Sequence, residues 1–567
     1  MKNLKYILLI LILVNSWSCN EDEWLREEPL SFTSPANSYK TASQFRQALN
    51  FLYDNLREMY WVTGDQHVIM YFGDQAYGGT DYPDQKFNNF ETWITPSTYI
   101  PGTYWNRGYQ SIANANTIIN RIGLTDQVSD EAKAQIEGEA LFFRAYWYNF
   151  LANLFGGVPI NLEEPSVPRR DFERATQQET YEQARTDLEK ALLLLPDITD
   201  EAVMDGMVSL QAAQHLLAEV NISLGDYDAA IAAASAVIGH PAMALMTSRF
   251  GSSASMPGDP YWDLFQNNNQ NRAMGNTEAI WVLQYDHLNS GSSYSLYHPR
   301  FLLPFYLDCK VDNGSGTLVN AFVGLSEDKG GRGIGVYHPT HHFLEEIWGT
   351  DGTNDYRNSP YIIVRDYKIN NPDAAGYDQW LVADGWLQDE DTLRKFYPFL
   401  LKFARTYDLP DDVYAKDENG AIALTPLGEK MTAYSFGELS SNCSLKDEYL
   451  YRLAGTYLLR AEAYLKNNQP DMALEDINTI RARANATPAQ LSDMTLDYLM
   501  DEQLRELYFE DFRLITLNRM GTVVERTRRY NPNGYNIMDY QDLWPIPYSE
   551  IEQNIFGNLE QNPGYPQ

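Results

Sequence analysis

The densest group of potential metal ligands in this sequence combines three histidines with one glutamate. Its members are His338, His341, His342 and Glu345. Histidines three residues apart can share one face of a helix and hold a metal ion together. Pro339 follows the first of them, and a proline in that turn disfavours the helix. We therefore interpret these residues as surface or packing histidines, and we predict neither a metal site nor a cofactor.

A second charged group, near the C-terminus, could support acid–base catalysis. Its members are Arg505, Glu506, Glu510, Asp511 and Arg513. Opposite charges at such three- and four-residue steps also pair within or across helices, and we favour a structural ion network that holds the C-terminal helices together. The sequence contains no H-E-x-x-H, G-x-S-x-G, Walker P-loop or C-x-x-C motif. We predict no catalytic residues and no enzyme activity.

Binding chemistry is indicated by an aromatic-rich segment between Tyr60 and Trp105. Twelve of its 46 residues are aromatic, twice the 13% of the whole chain, and it lacks helical periodicity. Trp and Tyr can cover the apolar C–H faces of sugar rings, while Asp and Asn can hydrogen-bond their polar edges. The polar residues of the segment include Asp65, Asp74, Asp81, Asn88 and Asn89. Its ligand-binding candidates are Trp61, Tyr77, Tyr82 and Trp93, whereas we expect Trp105 in the core.

A second aromatic segment covers residues 281–300. Its ligand-binding candidates are Tyr285, His287, Tyr294 and Tyr297. For each single candidate in either segment, ordinary loop packing is the alternative. We expect the two segments to converge into one shallow, exposed binding face. A purely structural scaffold that binds only other proteins would not need such aromatic loops.

The N-terminus has the pattern of a secretory signal peptide. Lys2 and Lys5 precede a nine-residue apolar run, Tyr6–Val14. This run is too short for a transmembrane helix, which needs about 20 apolar residues. We therefore predict that residues 1–18 are a signal peptide, and that Cys19 becomes the first residue of the mature chain.

Cys19 at the cleavage point resembles a bacterial lipobox, in which the cysteine thiol is lipidated. Acids follow at once and suit a tether that leads away from anionic headgroups, which we place at residues 19–40. The lipobox pattern favours Leu three residues before the cysteine, where this chain has Ser16. An ordinary export signal with a chance cysteine is therefore the alternative.

The charge of the chain excludes one class of partner. Lys and Arg number 43 against 77 Asp and Glu, which gives a formal net charge of −34. Such a surface repels phosphate backbones, so we expect no binding to nucleic acid.

Two further cysteines, Cys309 and Cys443, could form a disulfide outside the cytoplasm. Their separation along the chain does not show whether they meet in space. The sequence therefore leaves their pairing open.

Helical periodicity dominates both ends of the chain and fades in the middle. The first predicted helix starts near Thr41, and the others cover residues 106–121, 129–154, 176–195, 207–223, 226–239, 445–467, 470–485, 495–509 and 511–520. In the middle, strand-like runs occur at Ile280–Tyr285 and Tyr361–Arg365. We predict a helical region at 41–240, an irregular subdomain at 241–445 inserted in the helical frame, and a second helical region at 446–567.

Two helical pairs resemble each other at a fixed offset of 243 residues. Ala218 and Ala230 in the first pair match Ala461 and Ala473 in the second. Small residues on both sides of a short turn let two helices approach closely, as in the tetratricopeptide repeat. Stacked pairs form an α-solenoid. Alanine-rich hairpins that match by chance are the alternative.

Seven segments, in order, resemble the SusD/RagB family of surface nutrient-binding lipoproteins, and the resemblance extends over nearly all of the mature chain. They are Tyr104–Ile122, Gly138–Ile160, 212–238, Tyr457–Lys466, Ile477–Asn485, Leu504–Gly521 and Leu543–Tyr565. The resemblance implies a mainly α fold. Its scaffold consists of tetratricopeptide-like helical pairs, an α-solenoid, with a large irregular, loop-rich subdomain packed on it.

The resemblance also implies a role and a partner. The chain would be anchored to the outer membrane by its N-terminal lipid, would face the exterior, and would cap a SusC-like, TonB-dependent transporter. It would bind oligosaccharides for uptake, or peptides in the RagB branch of the family. A protein-interaction scaffold without a nutrient ligand is the remaining alternative.

Overall fold

The structure is a computed structural model, and it describes residues 38–61, 68–79, 89–165, 167–286, 298–389, 392–433 and 444–566. The predicted signal peptide, Cys19 and most of the predicted tether lie outside these residues. Cys443 also lies outside them, whereas Cys309 is buried. The disulfide considered above therefore stays untested.

The N-terminal region is built from helices. They are α1 (Ala42–Trp61), α2 (Val68–Tyr71), α3 (Phe90–Trp93), α4 (Tyr99–Ile122), α5 (Asp130–Phe155), α6 (Gln177–Ala191), α7 (Leu210–Leu224) and α8 (Tyr227–Ile238). In the described part of the chain, no helix combines the length and the apolarity needed to cross a membrane.

Local sequence signals set the ends of these helices. The Ser129 hydroxyl accepts a hydrogen bond from the Ala132 amide and begins α5. Thr176 and Glu179 form a reciprocal capping box at the start of α6. Gly225 ends α7 in the left-handed region, with φ of 77°, a conformation that glycine adopts without strain.

The middle of the chain contains only short elements in its described parts. The first strand of the chain, β1 (Ala76–Gly78), lies earlier, in the N-terminal region. The α-helices and strands of the middle region are α9 (Pro260–Leu264), β2 (Ala279–Leu283), α10 (His298–Leu302), β3 (Lys310–Asp312), β4 (Leu318–Asn320), β5 (Tyr337–Pro339), β6 (Ile363–Val364) and β7 (Phe399–Leu400). Described strands pair antiparallel as β1 with β5, β3 with β4 and β6 with β7. The middle region also has a hydrophobic core of its own, which includes Tyr306, Phe322 and Phe399.

The C-terminal region returns to helices. Its elements are β8 (Glu448–Arg452), α11 (Leu453–Lys466), α12 (Pro470–Arg483), α13 (Leu496–Leu507), α14 (Arg513–Met520), α15 (Val523–Tyr530) and α16 (Tyr548–Gln553). The helix predicted at 445–467 is wrong at its start, because β8 occupies that stretch and pairs with β2. The backbone of β8 hydrogen-bonds to the apolar strand β2, and the periodicity of side chains along 445–467 does not show such a distant partner.

The helices pack on one another in chain order to form the predicted mainly α scaffold. α4 packs on α5, α5 on α6, α6 on α7 and α7 on α8. α8 then packs on α11, so the scaffold continues directly across the inserted middle region, and α11 packs on α12 and α13. The four matched alanines are all fully buried, which confirms that they lie where helices approach closely.

Enlarging these alanines tests the repeat. We expect Ala461→Phe and Ala473→Phe each to lower the free energy of unfolding by about 1–3 kcal/mol, because extra methylenes overpack a close helix crossing. Met472→Phe, at an exposed position of α12 next to Ala473, is the matched control and should change stability little. Unchanged melting temperatures for both alanine variants would contradict the repeat assignment.

Candidate functional site

A buried carboxylate anchors the aromatic-rich segment to the C-terminal helices. Asp74 accepts hydrogen bonds from Arg513 at 2.9 and 2.6 Å and from Arg526 at 2.6 Å. Burial would raise the pKa of Asp74, but the two guanidinium groups lower it well below its usual range. Asp74 is fully buried. It is therefore not available to hydrogen-bond a ligand, and its role is to fix the chain just before β1.

The strand pair β1–β5 brings two aromatic rings together. Tyr77 and His338 are opposite each other in the antiparallel register, and their rings stack with centroids 5.0 Å apart and planes 30° from parallel. The Tyr397 ring also lies near this pair, with its centroid 4.4 Å from that of His338. Tyr77 and His338 are both half-buried, so the stack lies at the border between the interior and the surface.

The rings of this stack are uncharged at neutral pH. Burial lowers the pKa of His338, and its Nδ1 lies 2.7 Å from the carbonyl oxygen of Pro339, to which a neutral ring can donate. Burial also raises the pKa of Tyr77. A half-buried, neutral tyrosine ring with a phenol hydroxyl at its edge is suited to contact the C–H face of a sugar.

A second pair of rings lies at the other end of the aromatic-rich segment. The Asn89 side chain accepts a hydrogen bond from the Thr92 amide and begins α3, so Asn89 serves as a helix cap. At the end of α3, Trp93 is half-buried and meets Tyr99 edge-to-face, with centroids 6.3 Å apart. Tyr99 is 50% exposed. Sequence reasoning missed Tyr99 as a candidate, although it belongs to the same aromatic-rich segment.

Tyr285 lies just beyond β2 and packs against the scaffold. Its backbone amide donates to the Asp447 carboxylate at 2.7 Å, and the Arg57 guanidinium of α1 lies 6.0 Å from its ring centroid. Burial raises its pKa, and its hydroxyl is buried without a hydrogen-bond partner among the described residues. This placement favours the packing alternative for Tyr285.

The other predicted ligand-binding residues lie outside the described part of the chain. They are Tyr82, His287, Tyr294 and Tyr297, together with the side chain of Trp61 at the end of α1. Because these residues lie outside the described part, the expected convergence of the two aromatic segments into one binding face stays a prediction. Trp105 is 3% exposed, which confirms its expected place in the core.

Four of the five charged residues predicted near the C-terminus take part in ion pairs, whereas the Asp511 carboxylate accepts a hydrogen bond from the Thr516 hydroxyl at 3.2 Å. Glu506 is fully buried and accepts hydrogen bonds from Arg357, Arg452 and Arg483. Arg452 also pairs with Glu510 at 2.7 Å. These arginines come from the middle region, from β8 and from α12, so the network joins all three to α13. The three arginines are far from Glu506 in the sequence, so the sequence did not indicate that they pair with it.

The histidine cluster serves packing and surface roles, as interpreted from the sequence. His342 lies 2.9 Å from both Glu346 and Asp501, and its ring stacks on Tyr530 at 3.6 Å. The His341 side chain is 76% exposed. Among the residues that the structure describes, no group of three or more His, Cys, Asp and Glu side chains is placed to hold a metal ion.

Two protein-family matches together cover most of the chain. The family described as "Starch-binding associating with outer membrane" matches residues 24–222, and the one described as "SusD family" matches residues 277–565. A SusD-like protein of Formosa agariphila is 23% identical, over 98% of this chain and 97% of its own length. The starch-binding protein SusD of Bacteroides thetaiotaomicron is 38% identical over 20% of this chain and 21% of its own.

Solved structures share the fold. A laminarin-binding SusD-like protein covers 93% of this chain and 100% of its own, with a TM-score of 0.65 and 21% identity. Surface glycan-binding protein A of Bacteroides thetaiotaomicron, in complex with laminarihexaose, covers 92% and 100%, with a TM-score of 0.62 and 20% identity. Because the second family match alone spans more than half of the 567 residues, the chain belongs to the SusD family.

Proposed function

We propose that this chain is a cell-surface lipoprotein that binds nutrient oligosaccharides and delivers them to a SusC-like, TonB-dependent transporter of the outer membrane. Membership of the SusD family supports the role, and the relatives named above for starch and laminarin binding support a glycan as the ligand. The observation in this chain that carries the proposal is the half-buried Tyr77–His338 stack, which follows the buried Asp74 clamp.

The proposed site binds without catalysis. Neutral rings contact the C–H faces of sugars, and each stacked ring contributes on the order of 1 kcal/mol, as aromatic contacts do. Binding is therefore weak for one sugar and useful for an oligomer that contacts several rings. The Asp74 carboxylate, three residues before Tyr77, is neutralised by two arginines, and it serves the fold rather than proton transfer.

Removing ring faces tests the site. We expect Tyr77→Ala and Trp93→Ala each to weaken binding of laminarihexaose or maltohexaose about fivefold, and the double variant about 25-fold, because separate contacts add. Isothermal titration calorimetry measures the change. Tyr535→Ala removes a ring that is 81% exposed in the C-terminal region, and it serves as the matched control. Wild-type affinity in the double variant would contradict the proposed site.

The lipid anchor has its own test. Cys19→Ala should move the protein from the outer-membrane fraction to the soluble fraction in a strain that lacks the transporter partner, because one thiol carries the attachment. Ser18→Ala keeps a small residue beside the cleavage point and should leave the protein in the membrane fraction. If the Cys19 variant also stayed in the membrane fraction, the lipobox assignment would be wrong.

A further inference from the structure

A loop of the middle region, residues 377–386, displays aromatic side chains that the proposed site does not use. Tyr377 is 37% exposed and Trp380 is 44% exposed, and the aliphatic Val382 beside them is 43% exposed. Trp386 is half-buried and packs against the hydrophobic core of the middle region. The loop therefore presents two rings to solvent while the third fixes it to the subdomain.

Hydrogen bonds hold the backbone of the 377–386 loop in one shape. The Asp384 carboxylate accepts from the Trp380 amide at 2.8 Å. The Asp366 carboxylate accepts from the amides of Val382 and Ala383, both at 2.9 Å. The rings are thus displayed on an ordered platform, so a ligand that contacts them does not first have to order the loop.

One residue of the loop is in a strained conformation. Asp378 has a φ of 61°, in the left-handed region that non-glycine residues seldom adopt. Its amide donates to the Ile369 carbonyl, and its carboxylate accepts from Lys368 at 2.7 Å. These contacts hold the strained turn. Residues in such conformations need support from the surrounding structure, and they occur more often at ligand-binding sites than elsewhere.

Polar groups border the two exposed rings. Asp378, Gln379 and Asp384 are all exposed, and the Lys368 ammonium lies 6.0 Å from the Trp380 ring centroid. Charged residues are depleted from the centres of protein–protein interfaces. A glycan is the better match for this surface than a protein. Its sugar rings have apolar faces for the two aromatic rings, and its hydroxyls can hydrogen-bond the carboxylate and amide groups beside them.

The loop also lies within reach of the Tyr77–His338 stack. The backbone of Thr392 hydrogen-bonds to the His338 ring, and Trp380 precedes Thr392 by 12 positions. An extended chain advances at most about 3.6 Å per residue, so the backbones of these two residues lie within about 43 Å of each other. One long glycan chain could therefore contact both places.

We infer that the 377–386 loop is a second glycan-binding platform, on which Trp380 and Tyr377 stack against sugar rings and Asp378 and Gln379 hydrogen-bond their hydroxyls. The inference rests on the proposed function, because it takes the ligand to be a glycan. The platform adds binding to polysaccharides that engage both places at once, since a second contact on the same chain raises avidity.

Affinity electrophoresis in native gels that contain laminarin or soluble starch tests this platform. We expect Trp380→Ala with Tyr377→Ala to reduce the retardation of the protein by the polysaccharide at least fivefold. The melting temperature should stay unchanged, because both side chains are exposed. Tyr535→Ala, at an exposed ring outside the loop, should leave the retardation unchanged.

The outcomes separate the platform from the proposed function. If the wild-type protein is retarded and the loop variant is retarded equally, the platform is overturned while the proposed function stands. If the wild-type protein binds no glycan, both are overturned. Unchanged glycan retardation with weaker binding to a peptide mixture would assign the loop to a protein ligand and would also overturn the platform.

Discussion

Glu506→Ala should lower the free energy of unfolding by about 3–5 kcal/mol, because it leaves buried arginines without their shared partner. Burial would raise the pKa of Glu506, but Arg483, Arg452 and Arg357 lower it to about 2. The carboxylate is therefore ionised at neutral pH, and its removal adds an uncompensated positive charge to the interior. Urea denaturation measures the loss.

Two further variants make this result interpretable. Glu506→Gln keeps the size of the side chain and removes its charge, so it should also destabilise the protein, and it replaces the alanine variant if that fails to fold. Asp171→Ala breaks an exposed ion pair with Arg169, 2.9 Å long, and should change stability by less than about 1 kcal/mol. A loss below 1 kcal/mol for both Glu506 variants would contradict the structural network.

Asp74→Ala should affect both stability and ligand binding. It removes the carboxylate with which Arg513 pairs in the interior, while Arg526 keeps Asp497 and Asp501, and breaking such a buried pair lowers stability by about 3–5 kcal/mol. The same change frees the chain that leads into β1 and positions Tyr77. We therefore expect weaker binding of laminarihexaose or maltohexaose, although Asp74 is itself too deeply buried to contact a ligand.

The two effects need separate measurements and one control. Denaturation gives the stability, and calorimetry under conditions where the variant is folded gives the affinity. Asp54→Ala breaks an exposed pair with Arg57 on α1 and should leave both nearly unchanged. If Asp74→Ala lost stability but kept wild-type affinity, the clamp would serve the fold alone and would not position the Tyr77–His338 stack.

The sequence predicts the helices well because their apolar residues recur locally. α5, predicted at 129–154, covers Asp130–Phe155. β8 was missed because its strand character depends on pairing with β2, far away in the chain. The ion network was predictable from the spacing of the charges between Arg505 and Arg513, but its partners Arg357 and Arg483 were not, since local spacing does not show what packs on these residues.

The sequence indicates the candidate site as a region rather than as a set of residues. Aromatic density identifies the segment between Tyr60 and Trp105, but it does not show which rings face outward. Tyr77 is paired by β-strand register with His338, a residue that spacing alone presents as a metal ligand. Asp74 is likewise indistinguishable in sequence from a polar group available to a ligand. Only the folded arrangement shows its two arginine partners.

Equilibrium binding by the purified mature chain tests the proposed glycan-binding function most directly. Calorimetry with laminarihexaose, maltohexaose and a mixed peptide library, followed by chromatography of the ligands, gives the ligand class and any reaction products. We expect binding to at least one of the glycans, no heat from the peptides and no smaller sugars after incubation. Binding to peptides alone, or the release of shorter sugars, would contradict it.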